Sequence, residues 1–319
     1  AVICNALNLP PLWMLYVGRL LALASFLFMV GMAIKLTPVY KWGIVLLSIM
    51  TTTMIVAASL SADSMTISLS FLLIGYILSL AYRERKIAKK DILIVALLSI
   101  GVSLCKSSYI FIPFLFAIIP IQLFRSKKHF FFSFFIIILC AVLPCLVWSL
   151  YSKSAYVPVV YEADINLQLK WVLQHPVEFI KVMLRCVSDP VFIAKRMAEF
   201  VGRMSWAHIV LYTLIPLYWI ALSSCAIFEY DPKIRVLRYQ RIIASGVFIC
   251  SVLLIITMIY LSWIEIGSPK IYSGVQGRYF IPVAPICFLP FYNTKLRSYL
   301  SRSIRFDFRP VLVLFLVFS

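Results

Sequence analysis

Apolar residues gather in blocks along the chain, at about 12–34, 42–62, 64–82, 91–106, 108–124, 130–150, 208–228, 242–263, 280–294 and 309–319, with short polar stretches between them. An uncharged block of about 18 residues or more is long enough, as a helix, to cross a bilayer. The pattern predicts an all-α polytopic membrane protein with about ten transmembrane helices. Blocks 91–106 and 108–124 are short for that task. At roughly 1.5 Å per residue each arm reaches about 23–25 Å, less than the roughly 30 Å of the hydrocarbon core. Their shared tip, Lys106-Ser107-Ser108, is expected to sit below the membrane surface.

One long stretch, 151–207, carries no spanning block, yet it holds Trp171, Phe179, Phe192, Phe200 and Trp206. After His175-Pro176, the apolar Ile180, Met183, Leu184 and Val187 recur at helical spacing. Ser188-Asp189-Pro190 reads as an N-cap followed by Pro at the first helical position. Ile193, Met197, Phe200, Val201 and Met204 then share a second helical face. Amphipathic helices of this kind lie in the membrane interface or roof a cavity. We expect a single membrane domain over 1–319, with 151–207 as an extracytoplasmic loop carrying interfacial helices. The chain reads as a fragment at both ends. It begins with Ala1, and the apolar run from Pro310 to Ser319 is too short to cross a bilayer.

Composition narrows the class. The chain is 63% apolar and 13% charged over 319 residues, against about 45–50% and about 25% in soluble domains. That excludes a water-soluble enzyme and a disordered chain. The net charge of +18 would point to nucleic acid in a soluble protein. Here the basic residues collect in alternate loops: Lys35 and Lys41; Arg83 to Lys90; Arg125 to Lys128; Lys233 to Arg241; and Lys295 to Arg309. Positive charge of this kind marks cytoplasmic loops, so no nucleic-acid partner is expected. The opposite loops, and residue 1, fall outside, as they would with one further span upstream. The eight cysteines form no CxxC and read as small buried residues. His129, His175 and His208 show no metal-ligand spacing. No cofactor is expected, and the need for a divalent metal stays open.

Chemistry is confined to the outer boundary. Asp63, at the turn between two blocks, reads either as the N-cap of a helix starting near residue 64 or as a carboxylate facing an outer cavity. Lys106 either snorkels or meets a counter-charge such as a phosphate, because an unpaired ammonium at that depth costs at least about 2.5–3.5 kcal/mol. The segment from Gly267 to Pro285 carries Gly274, Gln276, Gly277, Arg278 and Tyr279 just before an apolar run. It reads as an interfacial Arg-Tyr anchor or as backbone and guanidinium set against an anionic ligand. Glu265 is a second acid in that loop, or the partner of Arg278. Arg19 reads as a snorkelling residue.

Four stretches, VGRLLALASFLFMVGMAIKLTP, SLSADSMTISLSFLL, SLCKSSYIFIPF and YSGVQGRYFIPVAP, resemble in order the bacterial predicted membrane proteins of the domain-of-unknown-function 2142 family, over nearly all of residues 12–290. That family is similar to the polytopic C-type glycosyltransferases, whose members take a sugar from a polyprenyl-phosphate carrier on the outer face. The resemblance implies a multi-pass protein of the bacterial cytoplasmic (inner) membrane with its active side outward. The donor would be a polyprenyl-phosphate sugar, and the acceptor a cell-envelope glycan or lipid. It places Lys106 near the carrier phosphate. On that reading Asp63 is the catalytic base, and Arg278, Gln276, Tyr279, Glu265 and Trp206 bind substrate. Two departures stand out. The superfamily's acid of the first outer loop would precede Ala1, and Ser205-Trp206-Ala207-His208 stands where relatives tend to show Gly-Trp-Leu-Asp. The rival readings are a flippase or transporter and a polymerase or ligase of polyprenyl-linked glycans.

Overall fold

A computed structural model describes residues 10–152, 163–202, 214–229, 231 and 233–292. All the regular structure among them is helical. The α-helices are α1 (Pro11–Leu36), α2 (Lys41–Ile49), α3 (Thr51–Ala57), α4 (Ala62–Ala81), α5 (Lys89–Cys105) and α6 (Lys127–Ser152). They continue with α7 (Ile165–Gln174), α8 (Pro176–Ser188), α9 (Pro190–Val201), α10 (Leu214–Phe228), α11 (Arg238–Trp263) and the one-turn α12 (Ala284–Cys287). Short 3-10 segments fill Ser107–Tyr109, Ile112–Ile118, Ile121–Leu123, Gly277–Val283 and Leu289–Phe291.

Four of these helices, α1, α4, α6 and α11, are long and apolar enough to cross a membrane. This is fewer than the ten that hydropathy alone suggests, and the backbone shows why. Block 42–62 breaks at Met50, whose ψ of 136° ends α2 and starts α3. Block 108–124 contains Pro113 and Pro120, which cannot donate to a helical ladder, and it returns as 3-10 turns. Its larger rise, about 2.0 Å per residue, lets it match the depth of α5: at the far end Ile87 N–H donates to Leu123 O at 2.9 Å. Block 280–294 carries Pro282, Pro285 and Pro290 and takes the form of short turns around α12. Block 208–228 is described from Leu214 onward, as a 15-residue apolar helix. Block 309–319 lies outside the described residues.

The bundle is built around α4, the most buried of the four long helices, while α1, α6 and α11 turn most of their apolar surface outward. α4 hides Ser64, Thr66, Ser68 and Ser70. In a lipid environment such hydroxyls are best met inside the helix: Thr66 donates to Ala62 O at 2.8 Å and Ser68 to Ser64 O at 3.0 Å. α1 lies close against α4 at Gly75, where a Cβ would come within 2.6 Å of Thr37 Oγ1 and 3.0 Å of Ala33 O. Small residues permit this kind of backbone approach between membrane helices.

The ends of the bundle differ in chemistry. At one end lie the basic loops. There Glu229 accepts from Trp42 and Gly43 N–H at 3.1–3.3 Å and so caps α2. Gln240 ties α11 to Ile118 O at 2.9 Å, and Asp91 takes both Arg83 and Arg85. The opposite end carries Asp63, Lys106, Glu199 and Arg278.

α7, α8 and α9 pack at that opposite end. Asp189 caps α9 by accepting from Val191 N–H at 2.9 Å, with Pro190 first in the helix. Buried Gln168 fastens α7 to the end of α11: it accepts from Gly267 N–H at 2.9 Å and donates to Tyr260 O and Glu265 O at 3.3 Å. On α8 the periodic apolar stripe is only partly buried. Val182, Met183 and Cys186 pack inward, while Val177, Ile180, Leu184 and Val187 stay exposed. An outward apolar stripe beside Lys181 and Arg185 suits a helix lying on lipid.

Candidate functional site

Local sequence places Asp63 where its side chain is free for other partners. Ser61, not Asp63, caps α4, its Oγ accepting from Asp63 N–H at 3.2 Å. Asp63 therefore sits in the first turn, with its carboxylate engaged by residues of other elements. Lys106 ends α5 in an extended conformation, and Arg278 lies in the 3-10 turn Gly277–Val283. Three elements far apart in sequence thus bring three charges together. Lys106 Nζ is 3.1 Å from Asp63 Oδ1, and Arg278 Nε is 3.1 Å from Asp63 Oδ2.

The Lys106, Asp63 and Arg278 side chains are 33%, 15% and 26% exposed. The cluster is half-buried and reachable from outside. The two cations exceed the one carboxylate, so it carries a net positive charge. Arg278 Nε is itself shielded from solvent and faces the Asp63 carboxylate as an ion pair without an aligned hydrogen bond among the described residues. The ring of Tyr279 lies close to both cations, 3.9 Å from Lys106 Nζ and 5.5 Å from Arg278 Cζ. A cation over an aromatic face is attracted by the ring quadrupole. From below, buried Tyr109 donates to Tyr279 O at 2.9 Å and so sets the height of the turn.

The remaining sequence candidates separate. Gln276 precedes the turn, half-buried, its carbonyl accepting from Tyr279 N–H. Glu265 pairs with Tyr272, whose hydroxyl donates to Oε1 at 3.0 Å, so Arg278's partner is Asp63 instead. Trp206 lies outside the described residues. Arg19 donates to Ala58 O at 2.8 Å, tying α1 to the end of α3. Among the described residues no three His, Cys, Asp or Glu side chains gather as metal ligands.

Sequence reasoning missed two features. The first is an apolar cavity of about 300 Å³ on the other side of the same turn, walled by Phe192 and Met197 of α9, Trp219 and Leu222 of α10, Val252 and Ile256 of α11, and Phe280. The second is Glu199 of α9, a buried carboxylate bonded to Gly277 N–H at 3.1 Å and to Arg196 at 2.8 Å. Gly277 itself was a signal, since a Cβ there would overlap Arg196 O and the Phe200 amide. Only a backbone without a side chain can lie that close to α9.

Fold and site define a helical membrane protein whose cationic cluster lies at the bundle end away from its basic loops, beside an apolar cavity. The chain belongs to the family described as Predicted membrane protein (DUF2142), which matches residues 1–287. No curated protein and no solved structure matches it.

Proposed function

We propose that this protein is a membrane glycosyltransferase that takes a sugar from a polyprenyl-phosphate carrier at the extracytoplasmic face. The observation that carries the reading is the Lys106–Asp63–Arg278 cluster, with its net positive charge. The adjoining cavity, near the lower end of small-molecule pockets in size, supports a donor with one apolar chain. A lipid-linked phosphate needs both features side by side.

In this mechanism the carrier phosphate engages Lys106 and Arg278, and Asp63 loses its two counter-ions. The acceptor hydroxyl then attacks the anomeric carbon. The new C–O bond forms as the anomeric C–O(phosphate) bond breaks, the electron pair leaves on the phosphate oxygen, and Asp63 takes the hydroxyl proton. The cations stabilise the negative charge that grows on the departing phosphate. Tyr279 and Gln276 flank the sugar, and Glu265 belongs to the surrounding outer surface. The acceptor is a cell-envelope glycan or lipid, and the protein sits in the bacterial inner membrane.

Consumption of polyprenyl-phosphate sugar by membranes containing the protein tests this reading. Lys106→Ala and Arg278→Ala should each cut turnover by about 10- to 100-fold, the scale of one lost charge-assisted hydrogen bond. Full turnover in both variants overturns the phosphate assignment. Carrier binding without sugar release points to a flippase instead.

A further inference from the structure

Arg278 is held from both sides along the chain. After it, Tyr279 O accepts from Tyr109. Before it, Gly277 N–H donates to Glu199 Oε2. Glu199 is 3% exposed, and burying a carboxylate is costly unless its oxygens are fully used. Here one oxygen, Oε2, accepts both from Arg196, one turn earlier in α9, and from the backbone of the turn. Glu199's own carbonyl takes Thr52 Oγ1–H at 3.1 Å, so α3 fixes α9 in turn. The approach is so close that Gly277 admits no side chain. The reach of Arg278 towards Asp63 therefore depends on where α9 lies.

We infer that Glu199 is a positioning residue: through Gly277 N–H it sets the turn that aims Arg278 at Asp63, and so couples α9 to the cationic cluster. What the cluster binds rests on the lipid-phosphate reading above, but the coupling rests on the geometry alone. Two measurements on the full chain in detergent keep these separable.

The first needs no ligand. Arg278→Cys is introduced after the eight native cysteines are replaced by Ala, and its labelling by an anionic methanethiosulfonate is timed. Adding Glu199→Ala should change the rate by about fivefold or more, the scale of one lost hydrogen bond. Glu199→Gln keeps an oxygen for Gly277 N–H and should return the rate to within about twofold of the parent. An unchanged rate in the Ala variant overturns the inference. So does a Gln variant that behaves like Ala, because the Arg196 pair would then be what matters.

The second restores Arg278 and the native cysteines and measures the affinity for a polyprenyl monophosphate. Glu199→Ala and Arg278→Ala should each weaken binding, and the double variant should bind no worse than Arg278→Ala alone. Additive losses overturn the inference. If the unaltered protein does not bind the probe, the lipid-phosphate reading fails, and the labelling rates still decide the coupling.

Discussion

Asp63 is the only carboxylate paired with Lys106 or Arg278 among the described residues, so its removal has a definite electrostatic cost. The two cationic nitrogens each lie 3.1 Å from a different oxygen of one carboxylate. They are therefore about 8 Å apart or less. Two unit charges at about 8 Å and an effective dielectric of 20 repel by roughly 2 kcal/mol, and partial exposure cuts that to about 1 kcal/mol. Loss of the two half-exposed pairs adds about 0.2–1 kcal/mol each. Asp63→Asn should therefore destabilise the protein by about 1.5–3 kcal/mol. Thermal unfolding of the purified protein in detergent should show this as a fall of about 3–8 °C. Lys106→Met in the Asp63→Asn background should recover part of the loss, because it removes the repulsion. A midpoint within about 1 °C of the parent, or a further fall on adding Lys106→Met, would refute the reasoning.

Two further outcomes follow from the packing around the turn. Gly277→Ala forces a Cβ into the α9 backbone and should cost about 1–3 kcal/mol, read as a lower midpoint in the same melt; an unchanged midpoint would mean that α9 and the turn are not in contact. Tyr109→Phe removes the buried bond to Tyr279 O and should lose about 0.5–1.5 kcal/mol, together with part of any anion affinity. Loss of stability without loss of affinity would separate Tyr109 from the site.

Asp63, Lys106 and Arg278 were legible as a group because ionisable residues at the ends of apolar blocks are rare and the Lys/Arg bias assigns them to one side. The shortness of the α5 arm was legible too, at 17 residues. Hydropathy did not show which blocks run as single long helices. It does not register that Pro113, Pro120, Pro282 and Pro285 turn apolar blocks into 3-10 segments, or that Met50 splits a block in two. The apolar stripe of α8 was legible as that of an interfacial helix or a cavity roof, but not which of its residues turn outward. Beside lipid that stripe can face outward, as Ile180 and Leu184 do. Glu199 was hidden because an acid in an amphipathic helix ordinarily reads as its solvated face. Only the long-range contact with Gly277 distinguishes it, and spacing within α9 carries no trace of that contact. The cavity is likewise a property of several elements meeting, each of them ordinary alone.

The central claim is that the cluster at the outer end of α4 receives the phosphate of a lipid carrier. Its most direct measurement is equilibrium binding of a polyprenyl monophosphate to the full chain in lipid nanodiscs, set against the Lys106→Ala/Arg278→Ala double variant. The account predicts saturable binding that competes with inorganic phosphate and falls by at least about 100-fold in the double variant, as expected for two lost charge-assisted hydrogen bonds. Equal binding by both proteins, or none by the parent, would contradict it.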